Sequence, residues 1–267
     1  SNPDVSSIYA VPEILSSEGI VETICRKLQL NSREIRWDGW RETVKSFLNP
    51  TDTVRIAMVG KYVTLADSYV SINQALAHAA AQLKVKVDVN WIDSEEFERH
   101  SSSLHMLENY HGILIPGGFG RRGSEGKILA SNYARERNIP YLGLCLGFQL
   151  AVVSFARHVC GLREANSTEF DPSTPYPVID LLPEQKTVTE MGATMRLGGH
   201  DISILEKTLA HRIYGKKMIR ERHRHRYEFN QTYRREFESN SMVFSGWSDD
   251  GRRMEILEIP SHPFYLA

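Results

Sequence analysis

The stretch Ile139-Pro140-Tyr141-Leu142-Gly143-Leu144-Cys145-Leu146-Gly147-Phe148-Gln149 decides the fold. Ile139 to Leu144 is a short apolar run that reads as a buried strand, and the spacing from Gly147 to Val159 predicts a helix. Cys145 stands at the joint, inside a G-x-C-x-G pattern made by Gly143 and Gly147. A cramped strand-to-helix turn needs glycine on both sides and projects its central side chain from the top of the sheet. The helix N-terminus adds unpaired N–H groups and positive potential, which favour thiolate over thiol. The N–H of Leu146 can help to hold an oxyanion. The alternative is an inert cysteine buried as a small hydrophobe at a strand end. The two glycines and the strand–helix setting favour the nucleophile.

Outward from this elbow, strands and helices alternate. Val54 to Val59 reads as a buried strand, followed by a Gly60-Lys61-Tyr62 loop, an alanine-rich helix from Ser68 to Leu83 and a strand from Val85 to Trp91. His111 to Ile115 is a further strand, and Gly123 to Arg137 a further helix. This order implies an α/β fold: a mostly parallel twisted sheet flanked by helices. Beyond Gly161 the pattern changes. Short alternating runs over 186–206 contain a Gly198-Gly199 turn signal, and Met242 to Trp247 and Arg253 to Ile259 flank Asp249-Asp250-Gly251 as a hairpin. These predict antiparallel strands added at one sheet edge. Residues 1–50 form a helical lead-in, with apolar helical spacing over Val11 to Leu30, a break near Ser16 to Gly19, and a second short helix over Trp37 to Leu48. Asn49-Pro50-Thr51-Asp52 marks the boundary, so residues 51–267 make the main domain.

The strand ending at Ile115 runs into Pro116-Gly117-Gly118-Phe119-Gly120. Strand C-termini of a parallel sheet form its ligand crevice, so this loop can point N–H groups inward, with Gly118 as a second oxyanion donor. A phosphate loop and a plain turn are the rival readings. The absence of a following Gly-Lys-Ser/Thr excludes a Walker loop.

The 267 residues are 41% hydrophobic and 24% charged, enough for a normal core, and the formal net charge is -1. That balance gives no pull toward nucleic acid or anionic membrane. No apolar run has the length of a membrane span, and the first residues show no signal-peptide pattern. Cys25, Cys145 and Cys160 are an odd, scattered set without a CxxC pair. They argue against a disulfide framework and a structural zinc site, and suit a reducing, cytoplasmic setting.

The elbow and glycine loop, together with Ala165-Asn166-Ser167-Thr168-Glu169-Phe170, Thr194-Met195-Arg196-Leu197-Gly198 and Glu221-Arg222-His223-Arg224-His225-Arg226-Tyr227-Glu228, resemble the class I glutamine amidotransferase domain of the CTP synthase family. The likeness runs from about Val54 to the C-terminus, and Asp4 to Pro12 is similar to the last part of that family's synthetase domain. Residues 1–50 would then be its final helices and linker. The resemblance implies that Cys145 hydrolyses glutamine through a glutamyl thioester, and that the ammonia aminates UTP to CTP in a full enzyme, with ATP hydrolysis. It implies oxyanion N–H groups from Gly118 and Leu146, and glutamine contacts from Gly147, Phe148 and Gln149. It also assigns Glu169 to the α-ammonium and Arg226 to the α-carboxylate. A zwitterion needs one fixed anion and one fixed cation, and arginine holds carboxylate through two parallel bonds. No cofactor or metal is expected on this chain. ATP and Mg belong to the synthetase domain, GTP is the family's activator, and the full enzyme is a homotetramer.

A cysteine amidase needs a base, usually histidine oriented by a carboxylate. In the family that pair lies in a His-Pro-Glu string just past the strand at His262-Pro263-Phe264-Tyr265-Leu266-Ala267, so it is expected a few residues after Ala267. His262 reads as a loop histidine, and His223 and His225 are the other candidates. Two further readings stay open: an impaired glutamine- or nucleotide-binding module, and a different cysteine γ-glutamyl hydrolase on the same fold.

Overall fold

Burial on both faces explains why the central strands are unbroken apolar runs: Gly112–Ile115 is buried throughout, as is Ala57 to Gly60. The computed structural model describes residues 4–31, 33–61, 63, 66–182 and 195–267. They fall into two units, Ser1–Val54 with Val70–Asp88, and Arg55–Tyr69 with Val89–Ala267.

The first unit contains α1 (Val11–Ser17), α2 (Ile20–Leu28), α3 (Asp38–Leu48) and α4 (Val70–Leu83). Pro12 opens α1, where its missing N–H costs nothing, and Gly19, at φ +79°, makes the break before α2. Tyr9 stacks on Phe47 at 4.5 Å, and Trp40 Nε1 donates to the Tyr9 carbonyl at 2.8 Å. The sequence places α4 in the α/β domain, whereas its contacts group it with this unit.

β1 (Asp52–Gly60) and β2 (Val85–Asp93) continue into the second unit. There follow α5 (Ser94–Arg99), β3 (Gly112–Ile115), α6 (Ser124–Arg137), β4 (Tyr141–Gly143) and α7 (Leu146–His158). After them come β5 (Ala165–Ser167), β6 (Tyr176–Asp180), β7 (Arg196–Ile204), α8 (Leu209–Tyr214), β8 (Met218–His225) and β9 (Glu228–Phe229). α9 (Arg234–Ser239), β10 (Val243–Ser248), β11 (Arg253–Glu258) and β12 (Tyr265–Leu266) complete it. The main sheet has the order β2-β1-β3-β4-β12-β11-β10-β7-β8, and β5-β6-β9 form a small second sheet. β1, β3, β4 and β12 pair in parallel, and β11, β10, β7 and β8 extend the edge antiparallel. This is the α/β architecture read from the sequence.

β10 and β11 form the expected hairpin around Asp249–Gly251. One expectation fails. Gly198 and Gly199 do not turn the chain but lie inside β7, paired with His223 and Arg222. A two-residue glycine signal cannot distinguish a turn from a kinked strand, and Gly198 carries its φ of +92° within the ladder. The 186–194 part of the alternating run, including Thr194, lies outside the described residues. Among the described residues, no helix is long and apolar enough to cross a membrane.

The core holds α7, whose face from Leu150 to Phe155 is buried, against β3, β4 and α6. Tyr141 and Tyr265 stack at 4.4 Å on neighbouring strands, and Tyr265 shares a buried hydrogen bond with Ser131 Oγ at 2.7 Å. This packing fixes the C-terminal end of β4, from which the elbow rises.

Candidate active site

The elbow is built by close approach. A Cβ on Gly147 would lie 2.3 Å from Ile115 O, and one on Gly143 would lie 2.7 Å from Gly147 O, so neither position accepts a side chain. Tyr141 Oη donates to Gly147 O at 2.9 Å, and Leu144 N–H to Ile115 O at 2.9 Å. Between these ties Cys145 adopts φ +54°, ψ −102°, a strained conformation for a residue with a side chain. The strain lifts Sγ out of the sheet at the start of α7.

The glycine loop lies against the sulfur. The point a Gly117 Cβ would occupy is 3.4 Å from Cys145 Cβ and 3.9 Å from Sγ. Backbone N–H groups of Leu146 and Gly118 both act on the thiol and favour its charged form. These are the two donors expected from the sequence. The balance on the thiol runs against that expectation, however. Burial is the largest influence and pushes Cys145 up, the Glu169 charge adds to it, and the two N–H groups and Arg224 only partly offset them. Although the residue is exposed as a whole, its sulfur is sunk at the loop and donates to Arg224 O at 3.9 Å. A helix N-terminus alone therefore does not make this cysteine a thiolate; it needs a base.

Glu169 sits in the turn after β5, where its N–H donates to Ser167 Oγ at 3.2 Å. Its Oε1 accepts from Gly120 N–H at 2.8 Å, which fastens it to the glycine loop. Tyr227, whose hydroxyl is raised first by burial, feels the Glu169 and Arg226 charges with opposite sign. Gln149, buried one helical turn after Cys145, donates from Nε2 to Tyr227 O at 3.1 Å. The elbow helix and the arginine strand are thus linked directly.

A cavity of about 260 Å³ opens beside Cys145, lined among others by Phe148, Gln149, Tyr227, His223 and His225. Gly118, Leu146, Gly147, Glu169 and Arg226 do not line it; the N–H groups of Gly118 and Leu146 act on the sulfur, and Gly147 packs on Ile115. β8 alternates as an extended strand should, with Arg222 and Arg224 exposed and His223 and His225 turned inward. Arg224 lies over the Phe119 ring at 5.8 Å.

The histidines are committed elsewhere. His223 Nε2 meets Glu255 Oε2 at 3.1 Å, and Glu255 also accepts from Arg196 and Ser248. Burial would raise Glu255, but the bonds from His223, Ser248 and Arg196 outweigh it and hold its carboxyl at about 2. Burial holds His225 at about 4, so it is neutral near pH 7. His262, buried, uses Nε2 on Ala134 O at 3.1 Å and accepts Phe264 N–H at Nδ1, as a loop histidine would. Among the described residues no imidazole is hydrogen-bonded to Cys145 Sγ. His223, His225 and Glu255 bring ligand atoms within 4.8 Å of one another, but the Arg196 guanidinium already neutralises Glu255 and opposes a cation there.

Two features escaped the sequence reading. Tyr227 accepts from Gln149 through its carbonyl and feels the Glu169 and Arg226 charges, and nothing but its place beside Arg226 marks it. Lys61 is buried under the glycine loop and donates to Phe119 O. Its place directly after a parallel strand's C-terminus was the available signal.

Comparison with known proteins agrees with this geometry. The glutamine amidotransferase class-I family matches residues 64–266. CTP synthase of Thermococcus kodakarensis is 53% identical over 265 residues, 99% of this chain and 49% of that protein. CTP synthase of Moorella thermoacetica is 52% identical over 264 residues, with 99% and 49% covered. The chain therefore spans about half the length of these relatives. The solved structure of the Trypanosoma brucei CTPS glutaminase domain with bound acivicin superimposes with a TM-score of 0.76 at 39% identity, covering 80% of this chain and 84% of that one.

Proposed function

The chain belongs to the class-I glutamine amidotransferase family, and from that membership we propose that it is the glutaminase half of a CTP synthase, with Cys145 as nucleophile. Residues 1–50 are the last helices and linker of the synthetase domain, and residues 51–267 the amidotransferase domain. Cys145 Sγ attacks the side-chain carbonyl carbon of L-glutamine, and the carbonyl oxygen takes up negative charge facing the N–H groups of Gly118 and Leu146. The proton given up by the thiol passes to the nitrogen, the C–N bond breaks to expel ammonia, and the γ-glutamyl thioester left on Cys145 is hydrolysed by water to glutamate and the free thiol. Glu169 holds the α-ammonium and Arg226 the α-carboxylate, Phe148 and Gln149 line the side-chain path, and Gly147 contributes a further glutamine contact from the first turn of α7. In the whole protein the ammonia aminates UTP to CTP with ATP and Mg at the synthetase domain, GTP activates, and a cytoplasmic homotetramer carries the reaction.

The observation that carries this reading is the strained Cys145 with the Gly118 and Leu146 N–H groups at its sulfur and Glu169 tied to the same loop. Ammonia release from glutamine tests it: activity must vanish in Cys145→Ala, and full activity in that variant would overturn the assignment. A second reading, a module that binds glutamine with little turnover, is favoured by one observation, the raised thiol with no imidazole bonded to it among the described residues. Glutamine binding without ammonia release separates the two.

A further inference from the structure

Lys61 lies in the loop after β1, and only 8% of it is exposed. Its ammonium donates to the carbonyl oxygen of Phe119. The N–H of the same peptide unit, that of Gly120, donates to Glu169 Oε1 at 2.8 Å. One peptide plane, Phe119–Gly120, is therefore held at both ends by side chains of opposite charge from two different loops. The lysine stem packs under the same loop: its Cε is 3.9 Å from the point a Gly118 Cβ would occupy, and its Nζ 3.8 Å from that point on Gly120. The lysine backbone is fixed in turn, since Arg122 donates to Lys61 O at 3.2 Å and pairs with Glu95 at 3.2 Å.

The Gly118 N–H belongs to the Gly117–Gly118 peptide, two peptide planes upstream, and the loop has no side chain at 117, 118 or 120 with which to fix itself. Glycine backbone is the least restrained in the chain, so an external tie must set the direction of the Gly118 N–H. Charge-assisted hydrogen bonds are the strong kind, and this peptide has one at each end. We propose that Lys61 is a positioning residue for the oxyanion loop, and that Lys61 and Glu169 together clamp the Phe119–Gly120 peptide so that Gly118 N–H faces the Cys145 adduct. Glu169 links the clamp to substrate, because the carboxylate that holds Gly120 is the one assigned to the α-ammonium of glutamine. The inference rests on the glutaminase reading of Cys145 and adds to it a residue that does not touch substrate.

The test uses the aldehyde analogue of glutamine, with CHO in place of the side-chain amide. The Cys145 S–H adds across its C=O: an S–C bond forms, the C=O π bond breaks, and the thiol proton passes to the oxygen, which faces Gly118 and Leu146. This reversible thiohemiacetal needs the oxyanion donors and no leaving group. In Lys61→Met the aldehyde affinity falls about 10- to 100-fold, less than the roughly 100- to 1000-fold cost of removing an oxyanion donor outright, because the donor is misdirected and not lost. Glutamine binding and iodoacetamide alkylation of Cys145 change less than about threefold, since neither places the oxygen of a tetrahedral adduct at those donors. Lys61→Arg, which keeps the cation, recovers part of the loss.

Equal loss of aldehyde and glutamine affinity, or no loss of either, would overturn the clamp. No adduct in the unsubstituted protein would instead defeat the reading of Cys145, and this inference with it. Should Lys61→Met fail to fold, amide hydrogen exchange on the unsubstituted protein decides: the Gly120 N–H is protected and becomes slower with the aldehyde bound. Exchange at the rate of an open loop contradicts the proposal.

Discussion

Gly147→Ala probes the elbow most sharply. The added methyl would sit 2.3 Å from the carbonyl oxygen of Ile115 and 3.1 Å from its carbon. Both are backbone atoms of β3, so no rotamer relieves the contact, and α7 must move off the sheet by on the order of 1 Å in a close-packed interior. Overpacking of this kind costs about 1–3 kcal/mol, and a backbone-to-backbone clash belongs near the top of that range. The shift also stretches the 2.9 Å bond from Tyr141 Oη to Gly147 O. For a domain of this size about 3 kcal/mol lowers the melting temperature by roughly 6–12 °C. A displacement of that order at the nucleophile costs roughly 100-fold in the rate of a geometry-dependent step. Thermal unfolding and the rate of Cys145 modification by a glutamine-mimicking electrophile read the two effects. Gly39→Ala is the control, because a methyl there meets nothing within 4 Å, and it should change stability by less than about 1 kcal/mol. A Gly147→Ala protein that melts within about 1 °C of the unsubstituted one and reacts at the same rate would refute the elbow reasoning.

Three further outcomes follow from the site's electrostatics. Cys145 is held above the ordinary thiol range by burial, so its alkylation by iodoacetamide keeps accelerating through pH 9; a plateau below pH 8 would contradict this. Glu228 is pushed up to about 8, first by burial and then by the Glu255 charge, against Arg196 and Arg253. Between the unfolded value near 4.5 and 8 the folded state holds the extra proton, so this group's contribution to stability falls as pH rises through that window. Glu228→Gln therefore gains on the unsubstituted protein more at pH 8.5 than at pH 5 in thermal unfolding, and an equal difference at both would be contrary. Arg196→Met removes the guanidinium from the buried Glu255 and costs about 3–5 kcal/mol in denaturant unfolding; a cost under about 1 kcal/mol would show that the pair is not needed.

Much of this fold was legible because its signals are local. Unbroken apolar runs mark strands buried on both faces, and the two glycines around Cys145 mark a turn that no side chain could enter. The break at Gly19 and the hairpin at Asp249–Gly251 were legible for the same reason. Glycine was ambiguous where the ladder decides, and Gly198 bends a strand that its sequence reads as a turn. The thiol's balance was not legible, because a helix N-terminus is visible in sequence while the depth of the sulfur and the charge of Glu169 beside it are tertiary facts. Lys61 and Tyr227 were missed likewise: Lys61 donates to a carbonyl of another loop, and the Tyr227 carbonyl accepts a side chain brought to it by α7.

The central claim is that Cys145 is a nucleophile in a glutamine site. Mass spectrometry after treatment with acivicin, the compound bound in the trypanosomal structure, tests it most directly. The expected result is one adduct, mapped to Cys145, whose formation L-glutamine suppresses. Adducts on Cys25 or Cys160 with Cys145 unmodified, or labelling of Cys145 that glutamine leaves unchanged, would contradict it.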